Sequence, residues 1–246
     1  MDIQKPSPVS AIIVAGGSGV RMGGSVRKQF LSLGGRPVIC HTLQAFDRCP
    51  DIDAIYLVAP PDDVRNCMAV WCSSLTFHKK IQVVAGGRER QDSVYQGLLA
   101  VPDQHAGIVV IHDGVRPFIS RQQISACVQE TRRSGACIVA LPVQDTVKEV
   151  RSQIVSGTLD RHLLWTAQTP QAFEITLIRT AHETAGKDGV TGTDDAMLVE
   201  RLGRPVHVLE GSRLNIKITT PEDMALAEAI WRQIPDDIRD GERTDS

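Results

Sequence analysis

The residues best suited to handling phosphate follow the first apolar run of the chain: Ala15-Gly16-Gly17-Ser18-Gly19-Val20-Arg21-Met22-Gly23-Gly24, and then Lys28. Glycines let a backbone approach a ligand closely and present its N–H groups to phosphate oxygens, and Arg21 and Lys28 add positive charge. Residue type excludes two familiar phosphate loops. No Gly-Lys-Ser/Thr is present, so the stretch is not a Walker A loop, and Met22 stands where a dinucleotide fingerprint requires its third glycine. A plain glycine-rich turn is the competing account, under which both cations would be incidental.

Further groups follow in order: Gly86-Gly87-Arg88-Glu89-Arg90-Gln91-Asp92-Ser93-Val94, His112-Asp113-Gly114-Val115-Arg116-Pro117, Asp145-Thr146-Val147-Lys148, Thr169-Pro170-Gln171, Thr193-Asp194-Asp195-Ala196 and Asn215-Ile216-Lys217-Ile218-Thr219. The glycine loop with its Arg-Met and later Lys resembles that of nucleotidyltransferases that activate sugars and polyols. With the ordered groups added, the chain resembles the 2-C-methyl-D-erythritol 4-phosphate cytidylyltransferase family over roughly residues 10 to 232.

That resemblance implies transfer of CMP from CTP to the polyol phosphate with release of pyrophosphate, in non-mevalonate isoprenoid precursor synthesis. Such a reaction brings two polyanions together, so repulsion is the main obstacle. A phosphate dianion is a competent nucleophile near neutral pH, which removes the need for a general base and suits a sequence with no evident Ser-His-Asp arrangement. Positioning and charge stabilisation around the α-phosphate are what the protein must supply.

By resemblance, the catalytic cations are Arg21, Lys28 and Lys217, with Mg²⁺ across the phosphates as the cofactor. Asp113 would lie near the ribose and the metal, helix capping being its ordinary alternative. CTP would be read by Ala15, Gly16, Gly17 and Gly19 of the loop and by Gly87 and Ser93, where backbone carbonyls and a hydroxyl select cytosine; Ser93 would also suit a helix cap. The acceptor would be read by Arg116, Thr146, Arg161, Thr169 and Thr193, arginine for the phosphate and hydroxyls for the polyol. Without the resemblance, Arg161 is an exposed hairpin arginine that aids solubility. His112 is expected to complete a strand end rather than perform acid–base work.

Several positions depart from the family pattern. Gly114-Val115 stands for the usual Ala-Ala, Gly16 for the loop's second alanine, Arg88 for an acid, and Leu214 for an acid before Asn-Ile-Lys. A second carboxylate at the metal is thereby put in question, leaving two alternatives: Asp113 serves alone, or the metal is held chiefly by phosphates and water. A sister enzyme using ribitol 5-phosphate shares most of these motifs, and a substrate panel separates the two. A non-catalytic nucleotide sensor on the same fold would be expected to lack Lys28 or Lys217, and both are present.

Loops this far apart in sequence need a scaffold that gathers them. Short β-branched runs, Ala11–Ala15, Ile55–Ala59, Ile81–Ala85, Ile108–His112 and Cys137–Leu141, recur between amphipathic stretches, and several are apolar on both faces. This predicts an α/β fold, a doubly wound and mostly parallel sheet of the Rossmann-like type, binding ligands at the carboxyl ends of its strands. A helix is expected to open at Pro37 with Ile39, Leu43 and Phe46 on one face. Another begins at Thr220-Pro221-Glu222-Asp223, with a capping hydroxyl, Pro at the first helical position and acids in the first turn. Its Ala227, Ile230, Trp231 and Ile234 are expected to face the core.

Pro142 to Gln171 breaks the alternation. Its polar strand-like segments, Thr146–Val150 and Gln153–Val155, predict a β-hairpin arm projecting from the sheet. An isolated hairpin is marginally stable, so the arm is expected to pack on a second subunit; the family's arm-exchanged dimer implies the same. The expected organisation is one nucleotidyltransferase domain over 1–235, including the arm at 142–171, and a charged disordered tail over 236–246.

Hydrophobic residues make up 42% and charged residues 23% of the 246 residues, and the net charge of −2 provides no global field for nucleic acid, so anion binding must be local. No run approaches the ~20 apolar residues of a membrane span, and the N-terminal residues resemble no signal peptide. A cytoplasmic protein is expected. Cys40, Cys49, Cys67, Cys72, Cys127 and Cys137 include no Cys-x-x-Cys pair and read as reduced, mostly core residues.

Overall fold

A computed structural model describes residues 7–16, 27–65, 67, 68, 72, 73, 75–103 and 107–234. The five apolar runs fall in strands, with Ala15 one residue past the end of the first: β1 (Val9–Val14), β4 (Ala54–Ala59), β5 (Ile81–Ala85), β6 (Ile108–Asp113) and β7 (Ala136–Pro142). Between β1 and β4 lies a short hairpin of β2 (Ser32–Leu33) and β3 (Arg36–Pro37). Later come β10 (Trp165–Glu174) and β11 (His207–Glu210), and β8 (Lys148–Arg151) and β9 (Ile154–Thr158) form a separate two-stranded ribbon.

The main sheet has seven strands in the order β11-β7-β10-β6-β1-β4-β5. Every neighbouring pair is parallel except those of β10, which runs antiparallel between β6 and β7. Strand β1 shows why its run is apolar throughout. Ala11 and Ile13 join one core with Ile39, Leu43 and Phe46 of α1 (Val38–Asp47) and Ile124 and Val128 of α3 (Arg121–Ser134). Ile12, pointing the other way, packs with Val94 and Leu98 of α2 (Arg90–Ala100) and Ile178 of α4 (Ile175–Lys187). Alternate side chains of a strand face opposite sides, so a sheet covered on both faces requires an unbroken apolar run. Because β4 and β6 flank β1, the chain winds outward in both directions from it, and the carboxyl ends of these strands form the switch point where such sheets bind ligands.

Helix α1 begins at Val38, one residue beyond the expected opening, with Pro37 as its N-cap and the end of β3. The last helix, α6 (Pro221–Gln233), has the expected start, a Thr220–Asp223 capping box and Pro at the first position. Ala227 and Ile230 are buried. Ala227 packs with Leu33, Val38, Val115 and Ile218 in a third apolar cluster, and Trp231 lies against it.

Two expectations are corrected. Cys40 and Cys72 form a disulfide with Cα atoms 6.0 Å apart, joining α1 to a residue 32 positions later; Cys49, Cys67, Cys127 and Cys137 are free and buried. Only packing brings that pair together, so no spacing rule reveals it. The stretch expected to project over 142–171 is shorter: β10 belongs to the main sheet from Trp165 onward, pairing Trp165 with Pro142, and Gln168 through Phe173 are buried. Pro170 argues against a central strand, and it sits at the register irregularity between Ala167 and Gln171 that accommodates it. The tail at 236–246 lies outside the described residues. Among the described residues no helix is long and apolar enough to cross a membrane.

Candidate active site

Strand β1 ends on a turn that packs against the start of α2 through one hydroxyl. Ser93 is buried, and its Oγ accepts a hydrogen bond from the Gly87 N–H at 3.1 Å. A Cβ on Gly16 would stand 2.9 Å from that Oγ, and one on Gly87 only 2.3 Å from Asp92 Cβ. Glycine is required at Gly87, where the helix start leaves no room for a side chain, whereas at Gly16 a Cβ would have to displace only the Ser93 hydroxyl. Ser93 does not cap α2: Glu89 is the N-cap, in a reciprocal box with Asp92, so the hydroxyl is left to join the two glycine turns. Ala15 is already committed, its N–H donating to Val58 O at 2.8 Å and its carbonyl accepting from Gln29 Nε2 at 2.7 Å.

The Gln29 bond closes the glycine loop. Lys28, Gln29 and Phe30 form a 3-10 turn in which Gln29 and Phe30 are buried, Phe30 in the core shared with β1. Lys28 is thereby carried back beside the end of β1, a consequence of Gln29 that the sequence reading missed. Gly17, Gly19 and Arg21 lie outside the described residues.

Asp113, the last residue of β6, gathers the remaining charge. Its Oδ2 is 2.8 Å from Lys217 Nζ and 3.7 Å from Arg116 Nε, an ion-pair distance beyond a hydrogen bond, and its Oδ1 accepts from Arg90 Nε at 3.1 Å. Burial opposes ionisation of this carboxyl, but Arg90, Lys217 and Arg116 outweigh it and hold the group ionised, well below the usual carboxylate range. It caps no helix, because the next helix, α3, is capped by Ser120. Lys217 reaches it because its neighbours are fixed: Ile218 is fully buried, Ile216 packs in the same cluster, and Ile218 N–H donates to Val115 O at 3.0 Å.

Beneath Asp113 lies a chain of hydrogen bonds whose direction follows from its ends. His112 Nε2 lies 3.2 Å from the Arg116 carbonyl, which can only accept, so that nitrogen carries the proton. Nδ1 then accepts from the Thr169 hydroxyl at 3.0 Å, and Thr169 Oγ1 accepts from the Asp113 N–H at 3.1 Å. Thr169, expected among the acceptor residues, thus holds Asp113 from below with a buried hydroxyl. Arg116 is likewise inward, its Nη1 donating to Asn215 O at 2.7 Å, while Asn215 Nδ2 donates to Thr169 O at 2.8 Å.

Burial lowers the His112 pKa to about 4 from 6.5, so the ring is neutral near pH 7, as a strand-end role requires. An unfolded imidazole takes up a proton first as pH falls. Stability from this site is therefore complete above pH 6.5 and lost toward pH 4. We expect about 2 kcal/mol of unfolding free energy to be lost between about pH 7 and about pH 5, by urea titration. His41, also shifted down by burial, acts in the same direction, so the His112 share is the part missing from a His112→Gln variant; equal losses in both proteins would refute it.

The acceptor-side residues separate into two groups. Thr193 is exposed just before α5 (Asp195–Arg201), whose N-cap is Asp194, and Gln171 of β10 accepts from the N–H groups of Asp195 and Ala196 at 3.1 and 3.2 Å. Thr146 and Arg161 lie instead on the ribbon arm, where Arg161 Nη1 donates to Gln144 O at 2.6 Å. Among the described residues no group of three or more His, Cys, Asp or Glu could hold a metal. A single ionised carboxylate still fits Mg²⁺, which takes one or two carboxylates and completes its shell with phosphates and water.

Sheet order and site together define the class, a Rossmann-like nucleotidyltransferase in which the end of β1 pairs beside an ionised carboxylate set among cations. The sequence profile of the 2-C-methyl-D-erythritol 4-phosphate cytidylyltransferase family matches residues 9–233, and the chain belongs to that family. The enzyme of this name from Syntrophus aciditrophicus is 50% identical over 230 residues, 93% of this chain and 97% of its own. That from Geotalea uraniireducens is 47% identical over 227 residues, 92% and 97% of the two chains. The crystal structure of 4-diphosphocytidyl-2C-methyl-D-erythritol synthase from Anaerococcus prevotii is similar with a TM-score of 0.82 at 34% identity, covering 92% of this chain and 97% of its own.

Proposed function

We propose that this chain transfers CMP from CTP to 2-C-methyl-D-erythritol 4-phosphate, forming 4-diphosphocytidyl-2-C-methyl-D-erythritol and pyrophosphate as a cytoplasmic step of non-mevalonate isoprenoid precursor synthesis. The observation that carries this reading is the pairing of Lys217 with Asp113 at 2.8 Å, which brings two distant family motifs to one point at the sheet's carboxyl edge. An oxygen of the acceptor phosphate attacks the α-phosphorus of CTP, the bond to the α–β bridging oxygen breaks, and its electron pair leaves with pyrophosphate. Lys217, neutralised by Asp113 beforehand, has a charge for which the entering phosphates compete. Lys28 approaches from the other end of the glycine loop, and Arg21 belongs to the same loop. Each stabilises charge that accumulates on the pentacoordinate phosphorus. Mg²⁺ would supply further neutralisation of phosphate charge, and Asp113 is the residue that would hold it. Gly16, Gly87 and Ser93 form a wall suited to cytosine, with Ala15, Gly17 and Gly19 completing the loop.

The arm supports a homodimer. Ile154 is 72% and Leu163 80% exposed, with Val150, Val155 and Trp165 exposed nearby, so the ribbon has apolar surface and no core of its own. Its Ser152-Gln153 turn has positive φ at both residues, as a two-residue hairpin connection requires. A second copy would cover this surface and receive Thr146 and Arg161 beside its Thr193.

The test is pyrophosphate release from each of the four nucleoside triphosphates, with methylerythritol phosphate and ribitol phosphate in turn. Release is expected only with CTP, methylerythritol phosphate and a divalent cation together. Turnover with ribitol phosphate and none with methylerythritol phosphate would overturn the acceptor assignment and leave the fold intact.

A further inference from the structure

We propose that Arg90 is a positioning residue, the strut that ties the acceptor-side helix α5 to the carboxylate facing Lys217; this rests on the functional reading above. Arg90 is the first residue of α2. Its Nε donates to Asp113 Oδ1 at 3.1 Å and its Nη1 to Asp195 Oδ2 at 2.8 Å, so one guanidinium spans the end of β6 and the start of α5. Both carboxylates are buried, Asp195 at 1% exposure. Asp195 is held from its other sides by His182 Nε2 at 3.1 Å and by its own N–H to Gln171 Oε1.

Removing one partner of a buried ion pair is strongly unfavourable because a charge is left uncompensated, and here one cation serves two acids. The guanidinium fork suits that task. A lysine ammonium is a point charge on a flexible stem and cannot reproduce two diverging hydrogen bonds at fixed orientation. The arrangement also decides which carboxylate oxygen is available. With Oδ1 held by Arg90, Oδ2 is the oxygen turned toward Lys217, and Thr193 enters α5 two residues before the strut's far end. A buried ion pair that served stability alone would be replaceable without consequence for turnover; this one ends at reaction-side residues at both carboxylates.

Arg90→Lys and Asp195→Asn test the strut, with melting temperature and CTP affinity by calorimetry measured beside pyrophosphate release. At a temperature where melting curves show both variants folded, we expect CTP Kd within about 3-fold of wild type and kcat down about 10²-fold in Arg90→Lys, the scale of sub-ångström to ångström misplacement. Added guanidinium should restore part of the turnover of Arg90→Ala but not of Lys217→Ala. Wild-type kcat in folded Arg90→Lys, or a loss that merely tracks the unfolded fraction, overturns the proposal. Should Arg90→Lys not fold, the near-isosteric Asp195→Asn decides, and a kcat loss under about 3-fold overturns it. Absence of wild-type turnover with CTP and methylerythritol phosphate would instead overturn the functional reading, and the strut with it.

Discussion

Lys28→Ala and Lys217→Ala are each expected to lower kcat by about 10²-fold or more, the loss typical of a group that stabilises charge chiefly in the transition state. The site geometry explains why the fold should survive both changes. Gln29 and Phe30 anchor the 3-10 turn, through the bond to Ala15 and through the core. Ile216 and Ile218 anchor the segment around Lys217, whose side chain is 38% exposed. Asp113 keeps Arg90 and Arg116 as partners when Lys217 is removed. Single-turnover measurements with CTP saturating would separate a chemical defect from weakened binding. Near-normal turnover in either folded variant would remove that lysine from the mechanism.

Arg161→Ala and Lys28→Ala chains are expected to be inactive alone and active together. If the arm enters a partner's site, a two-fold dimer uses it reciprocally. Mixed dimers are half of a randomly re-equilibrated population, and each has one intact site, with its body from the Arg161→Ala chain and its arm from the Lys28→Ala chain. Activity should recover to roughly a quarter of wild type by that two-fold geometry. The exposure of Ile154 and Leu163 motivates the experiment, because a ribbon with its apolar residues in solvent gains stability only by packing on another surface. Mixtures shown by mass to have exchanged subunits, yet still inactive, would place Arg161 in its own subunit's site.

The strands that the sequence made legible are those whose environment imposes one simple pattern. Strands covered on both faces are apolar along most of their length, so β1, β4, β6 and β7 stood out, edge strand β5 was marked by its Ile and Val residues despite the exposed Gln82, and a Thr-Pro-Glu-Asp start marked α6 because capping chemistry is local. Strand β10 was hidden for the opposite reason. Its Gln168, Thr169 and Gln171 are polar yet buried, since they bond Asn215, His112 and the start of α5, and its proline occupies a register irregularity. A run of polar residues with a proline looks like a projecting loop until the groups that satisfy it are in place.

The site divides along the same line. By itself the sequence determined the family and marked the glycine loop, Lys28, Lys217 and Asp113 as candidates, because residue types in ordered local motifs carry that information. Only the tertiary structure decided that Arg90 joins Asp113 to Asp195, that Thr169 and Arg116 face inward beneath Asp113, that Gln29 draws Lys28 back to β1, and that Cys40 meets Cys72. Each of those is a contact between residues far apart in the chain, and all but the disulfide are made near the carboxyl ends of the sheet's strands. Its partners are chosen by the register and winding of the sheet, which no local pattern records.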